Sequence, residues 1–180
     1  LTQPTSDKTV YTEESPSVYT DAGSVYSDIG TANWKTYTNR DYSFSIKYPQ
    51  EATIEESTIE EKGWHIIDIN VTPAAPWSVA TGSYFRIAIL DNPKNLSLED
   101  IHKNYLYWPC NTEYGGRCKY DTLKGYKALI VLDFADLMEK EAFYLQKGQV
   151  VFRLSWGQGS ENEEERKVGD QIRSTFQFTN

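Results

Sequence analysis

Cations, thiols and imidazoles are scarce in this chain. Lys and Arg number 18 against 26 Asp and Glu, so the formal net charge is −8 over 180 residues. Nucleic-acid binding needs clustered cations to displace counterions from phosphate, and that class is excluded. The same sign disfavours an anionic membrane surface. No apolar run approaches the roughly 20 residues that span a bilayer. There are two cysteines and two histidines. The cysteines lack C-x-x-C spacing, so redox catalysis has no signature. As a metal pair they would need further ligands that the sequence does not supply, so no dependable zinc site emerges. No G-x-S-x-G elbow is present. Carboxylates abound as on any acidic surface, which carries no case for a glycosidase. "WGQGSEN" (156–162) is glycine-rich before a helix, but Glu161, Glu163, Glu164 and Glu165 would repel a phosphate there. The expectation is a protein without catalytic residues, cofactor or metal.

What the chain does have begins with an unusual first segment. Residues 1–33 hold 11 Ser or Thr and a net charge of −4, five acids against Lys8. A loose repeat runs through them: "TVYTE" (9–13), "SVYTD" (17–21) and "SVYSD" (24–28). Such composition buries too little apolar surface to offset the entropy of ordering. The expected organisation is a flexible acidic tether over 1–33 and a folded domain over 34–180. The alternative for the tether is strand addition to a sheet edge, with Val10, Val18 and Val25 as anchors. The chain opens on Leu1 and not Met, which suggests a removed leader or upstream segment and leaves room for a lipid or N-terminal anchor.

From Trp34 the pattern is that of strands. "WKTYTN" and "YSFSIKYP" flank the turn Asn39-Arg40-Asp41, with Phe44 and Ile46 facing inward. "ATIEESTIEE" and "GWHIIDINVTP" pair around Lys62-Gly63, and "SYFRIAILD" follows a loop containing Pro73, Pro76 and Gly82. Ser97 and Asp100 cap a helix that Leu96 staples onto Ile101 and Pro109 ends. Strands follow at 120–135, 139–148 and 149–157, turning at Gly125 and Gly148-Gln149. "ALIVLDF" reads as a central strand covered on both faces. A last helix, capped by Ser160 and Glu163, buries Val168, Ile172 and Phe176. The order β-β-β-β-β-α-β-β-β-α means α+β, with helices on an antiparallel sheet.

"Y-x-F-S-I-K-Y-P" after an aromatic strand, together with the terminal "I-R-S-T-F-Q-F", resembles the PsbP/DcrB-like family over residues 34–180. That family comprises exported bacterial domains and extrinsic photosystem subunits. Ser43 stands where its pattern has glycine, and no tryptophan follows Pro49 until Trp64. The resemblance implies an α-β-α sandwich on an antiparallel sheet and an extracytoplasmic address: secreted, periplasmic or cell-surface. It implies no shared catalytic constellation.

Given export, Cys110 and Cys118, with Gly115-Gly116 between them, are expected to form a disulfide worth about 2.5 kcal/mol of loop-closure entropy. On a strand His65 and Asp68 face opposite sides. His102 and Glu99, three apart on a helix, read as a surface polar pair. Tyr105, Tyr107, Trp108, Tyr114 and Tyr120 crowd the cysteine loop beside Arg117 and Lys119. Tyr, Trp and Arg are enriched at contact hot spots, so Trp108, Tyr114 and Arg117 are the expected contact residues for a protein partner or surface assembly. A small-ligand or glycan-binding module, and less so a hydrolase, are the rival readings.

Overall fold

The computed structural model describes residues 31–60, 63–71, 83–106, 109–111, 116–132, 139–157 and 163–179. The expected tether (1–30 of it), the Pro73–Gly82 loop and the Ser160 cap lie outside the described residues. A short 3-10 turn, Thr31–Asn33, precedes β1 (Lys35–Asn39) and β2 (Phe44–Tyr48). Then come β3 (Thr53–Ile59), β4 (Trp64–Asn70), β5 (Tyr84–Asp91) and α1 (Leu98–Leu106). After these follow β6 (Arg117–Leu123), β7 (Tyr126–Leu132), β8 (Glu139–Lys147), β9 (Val150–Gly157), α2 (Glu163–Thr175) and β10 (Gln177–Phe178). The fold is α+β, as its sequence pattern implies.

Two strands escape the sequence reading. The turn expected at Gly125 is present: Lys124 and Gly125, at φ 53° and 83°, fold 117–132 into a β6–β7 hairpin, so the stretch counted as three strands before the last helix holds four. A two-residue strand, β10, follows α2.

The main sheet has seven antiparallel strands in the order β3-β4-β5-β9-β8-β7-β6, and β2 lies between β1 and β10 in a separate three-stranded sheet. The "ALIVLDF" strand, β7, is next to the edge and not central. It is nonetheless covered on both faces: Ala128 and Ile130 join one apolar cluster, Leu129 and Val131 the other. Strand alternation sends successive residues into separate cores, which explains the continuous apolar run.

The larger core joins the main sheet to α2 and the small sheet. Phe44, Ile46, Phe152, Ile172 and Phe176 are each buried there. Phe44 lies 5.4 Å from Phe176 and 5.7 Å from Phe152 by ring centroids, and Phe178 sits 5.0 Å from Phe152. β10 pairs with β2 through Gln177–Ser45 and Phe178–Phe44. The two stretches that carry the family resemblance are therefore neighbouring strands. The smaller core lies under α1, which packs on β7 and β8.

Ser43, where the family pattern has glycine, holds φ at 51°. Its backbone is committed: the Ser43 carbonyl accepts from the Thr179 amide at 2.9 Å. A left-handed conformation costs a side-chain-bearing residue about 1–2 kcal/mol, partly offset by the entropy that glycine loses on folding. Ser43→Gly should therefore stabilise the domain by about 0.5–1 kcal/mol, read as a higher urea midpoint at unchanged slope. A lower midpoint would show that the Ser43 side chain contributes more than its backbone strain costs.

Candidate functional site

The chain entering α1 is held by a nearly buried asparagine. Asn92 Oδ1 accepts from the Leu96 amide at 2.8 Å and its Nδ2 donates to the Leu96 carbonyl at 3.0 Å. Ser97 Oγ then accepts from the Asp100 amide at 3.1 Å and donates to Asp100 Oδ2 at 2.7 Å, the expected cap. Leu96 is 36% exposed while Ile101 is buried, and the Asn92 bonds hold the entry of the chain.

Farther along α1 the expected surface pair of His102 and Glu99 is overturned, because His102 is fully buried. A helix turns once per 3.6 residues, so position 102 lies one turn beyond Leu98 and beside Ile101, on the apolar stripe. His102 Nδ1 lies 3.0 Å from the Tyr144 hydroxyl, with the rings edge-on at 5.4 Å. The same hydroxyl accepts from Arg153 Nε at 3.0 Å, and Arg153 Nη1 donates to Ser155 Oγ at 2.8 Å. Arg153 and Tyr144 are both fully buried and face each other across β8 and β9. Polar groups continue along the register through Arg86 to Asp68 on β4. Arg86 grips Asp68 with two bonds, at 2.7 and 2.8 Å. His65 sits on the opposite face, as strand alternation requires, and pairs with Glu56 at 3.2 Å.

Cys110 and Cys118 form the expected disulfide, with Cα atoms 5.4 Å apart. Asn111 and Gly116, at φ 60° and 74°, turn the chain between them. The Asn111 amide donates to the Gly116 carbonyl at 2.6 Å, and Asn111 Oδ1 accepts from the Cys118 amide at 3.0 Å. Both cysteines pack against the core under α1. The disulfide thus ties the segment after α1 to β6, which pairs with β7 at the edge of the sheet.

Of the expected contact residues, Trp108 and Tyr114 lie outside the described residues. Arg117 is exposed at the start of β6, on the face opposite Cys118 and Tyr120. Tyr120 is 46% exposed, and Lys127 Nζ stands 4.4 Å over its ring. Burial and then Glu99, which accepts its hydroxyl hydrogen bond, push the Tyr120 hydroxyl upward from its ordinary range. Tyr120 is an aromatic of this edge that the expected contact set omits. Its place in the exposed edge strand is the signal that identifies it.

Two other polar regions are visible. Arg173 bridges Glu141 and Asp170, each at 2.8 Å, beside a cavity of about 30 Å³. Burial raises the Asp170 carboxyl in spite of the Arg173 charge. The cavity is of water size. An open depression of about 310 Å³ is lined by Asp41, Tyr42, Ser43, Lys147, Gly148, Val150 and Phe152.

No protein-family model and no curated protein sequence matches the chain. Among solved structures it is similar to the cyanobacterial PsbP protein (CyanoP) of Synechocystis, with a TM-score of 0.54 at 11% identity, over 84% of this chain and 96% of that one. A structure from Bacteroides thetaiotaomicron matches at a TM-score of 0.40 and 13% identity, over 81% of this chain and 48% of that one. The fold is PsbP-like, an antiparallel sheet with a helix on each face.

The buried network depends on one hydroxyl. Tyr144→Phe should cost about 1–3 kcal/mol, since Arg153 Nε and His102 Nδ1 lose their shared partner inside the core. Urea unfolding checks this, and an unchanged midpoint would mean that the hydroxyl contributes nothing net.

Proposed function

We propose that this PsbP-like domain is a non-catalytic, extracytoplasmic binding or assembly module, joined to a membrane or larger surface complex through its N-terminal segment. The observation that carries the reading is the disulfide-tied edge of the sheet. Among the described residues β6 has one strand neighbour, exposes Arg117 on one face and Tyr120 on the other, and is anchored at Cys118 to the segment that follows α1. Binding at a pre-ordered surface forfeits less entropy, so a stapled edge is suited to a protein partner. The contact residues proposed with Arg117 are Trp108 and Tyr114, which flank Cys110 and Cys118 in sequence. A disulfide that persists accords with an oxidising compartment. No described helix is long and apolar enough to cross a membrane.

A small-ligand or glycan-binding role has one observation in its favour, the open depression beside Tyr42 and Phe152, whose volume is at the lower end for ligand sites. It lies in the β2 and β9 region, so the two readings involve different residues.

Affinity capture from an extracytoplasmic extract, comparing wild type with Trp108→Ala/Arg117→Ala, tests the proposal. Loss of a hot-spot pair should reduce capture about tenfold or more. Unchanged capture removes this surface as the interface, and loss of capture with Tyr42→Ala alone would favour the depression.

A further inference from the structure

The folded chain supplies what the cysteine pair lacks in the sequence. The imidazole of His102 and the sulfurs of Cys110 and Cys118 all lie within 4.8 Å of one another. We propose that, when the disulfide is reduced, these three groups form a binding site for a zinc-class cation, so that metal and disulfide are alternative ties for the same edge of the sheet.

The donor chemistry selects the ion. Two thiolates and an imidazole suit tetrahedral zinc and not magnesium or calcium, which take oxygen ligands. With metal–sulfur bonds of about 2.3 Å and metal–nitrogen bonds of about 2.0 Å, neighbouring donors in a tetrahedron sit about 3.5–3.8 Å apart. Breaking the sulfur–sulfur bond lets the two sulfurs separate to that distance, and the imidazole is already beside them. Water completes the fourth position.

The imidazole is also prepared for this role. His102 is fully buried, and its Nδ1 lies 3.0 Å from the Tyr144 hydroxyl. This contact orients the ring, as the outer partners of metal-bound histidines do. Arg153 holds that same hydroxyl from its other side.

The redox step balances with a dithiol donor. The Cys110–Cys118 bond breaks, two electrons and two protons enter, and two thiols form while the dithiol leaves as its own disulfide. Metal binding then releases both thiol protons.

Anaerobic titration of the phosphine-reduced full chain with cobalt(II), followed by zinc, tests the site. The expected result is a thiolate-to-cobalt charge-transfer band that zinc abolishes, absent from the oxidised chain. Since the chain has two histidines, NMR of the ring protons separates them: His102 should shift with cobalt and His65 should not. Tyr144→Phe should weaken cobalt binding about 10–100-fold. The wild-type NMR result stands if that variant fails to fold. The proposal is overturned if the reduced, folded chain gives no charge-transfer band, if the His102 ring does not shift, if the oxidised chain binds equally, or if binding requires the unfolded chain.

Discussion

The structure depends on the packing of Phe44, Phe152, Phe176 and Phe178. These rings come from an early strand, a central strand of the main sheet, the end of α2 and the last strand. Their edge-on and stacked contacts lie between 5.0 and 5.9 Å. Burying one such side chain is worth roughly 1.5–3 kcal/mol from area alone, and ring pairs add about 0.5–1.5 kcal/mol. The cluster makes the small sheet possible, because β10 is only two residues long and has little pairing of its own. Thr175 secures the junction: its hydroxyl accepts from the Lys47 amide at 2.8 Å. Lys147 closes the end, 4.7 Å over the Phe178 ring and 3.4 Å from the carbonyls of Ser43 and Thr179.

The two faces of the main sheet are chemically unlike. Toward α2 and the small sheet the core is almost wholly apolar. Toward α1 it holds a hydrogen-bonded series from His102 through Tyr144 and Arg153 to Ser155. A buried polar network rigidifies its surroundings only when its members are satisfied. Here it runs from α1 across β8 and β9, with His102 close to the disulfide. The apolar face joins the main sheet to α2 and the small sheet, and the polar face lies under α1 beside the disulfide.

Much of this was legible in residue order. Alternation in "YSFSIKYP" places Phe44 and Ile46 inward, and four-residue steps in the last helix bury Ile172 and Phe176. Ser97 and Asp100 mark a helix start whose bonds are present. Three features were not legible, each for a physical reason. β10 is too short to show periodicity. The position of β7 within the sheet follows from long-range pairing, and an apolar run reports only that both faces are covered. His102 is polar, so weighing residue type over helical phase puts it outside, while its phase relative to Leu98 and Ile101 puts it inside. That last displacement conceals the chemistry beside the cysteines, since no spacing rule joins a histidine on a helix to a disulfide loop.

The central claim is that the apolar cluster forms the stable frame and the disulfide-tied β6 edge is a separable surface built on it. Native-state hydrogen exchange before and after reduction, with a chelator present, tests this most directly. Amides of Lys119–Leu123 should lose far more protection than those of β9, which should fall by no more than the disulfide's roughly 2.5 kcal/mol contribution to global stability. Equal losses at β6 and β9 would mean that edge and frame open as one unit, and would contradict it.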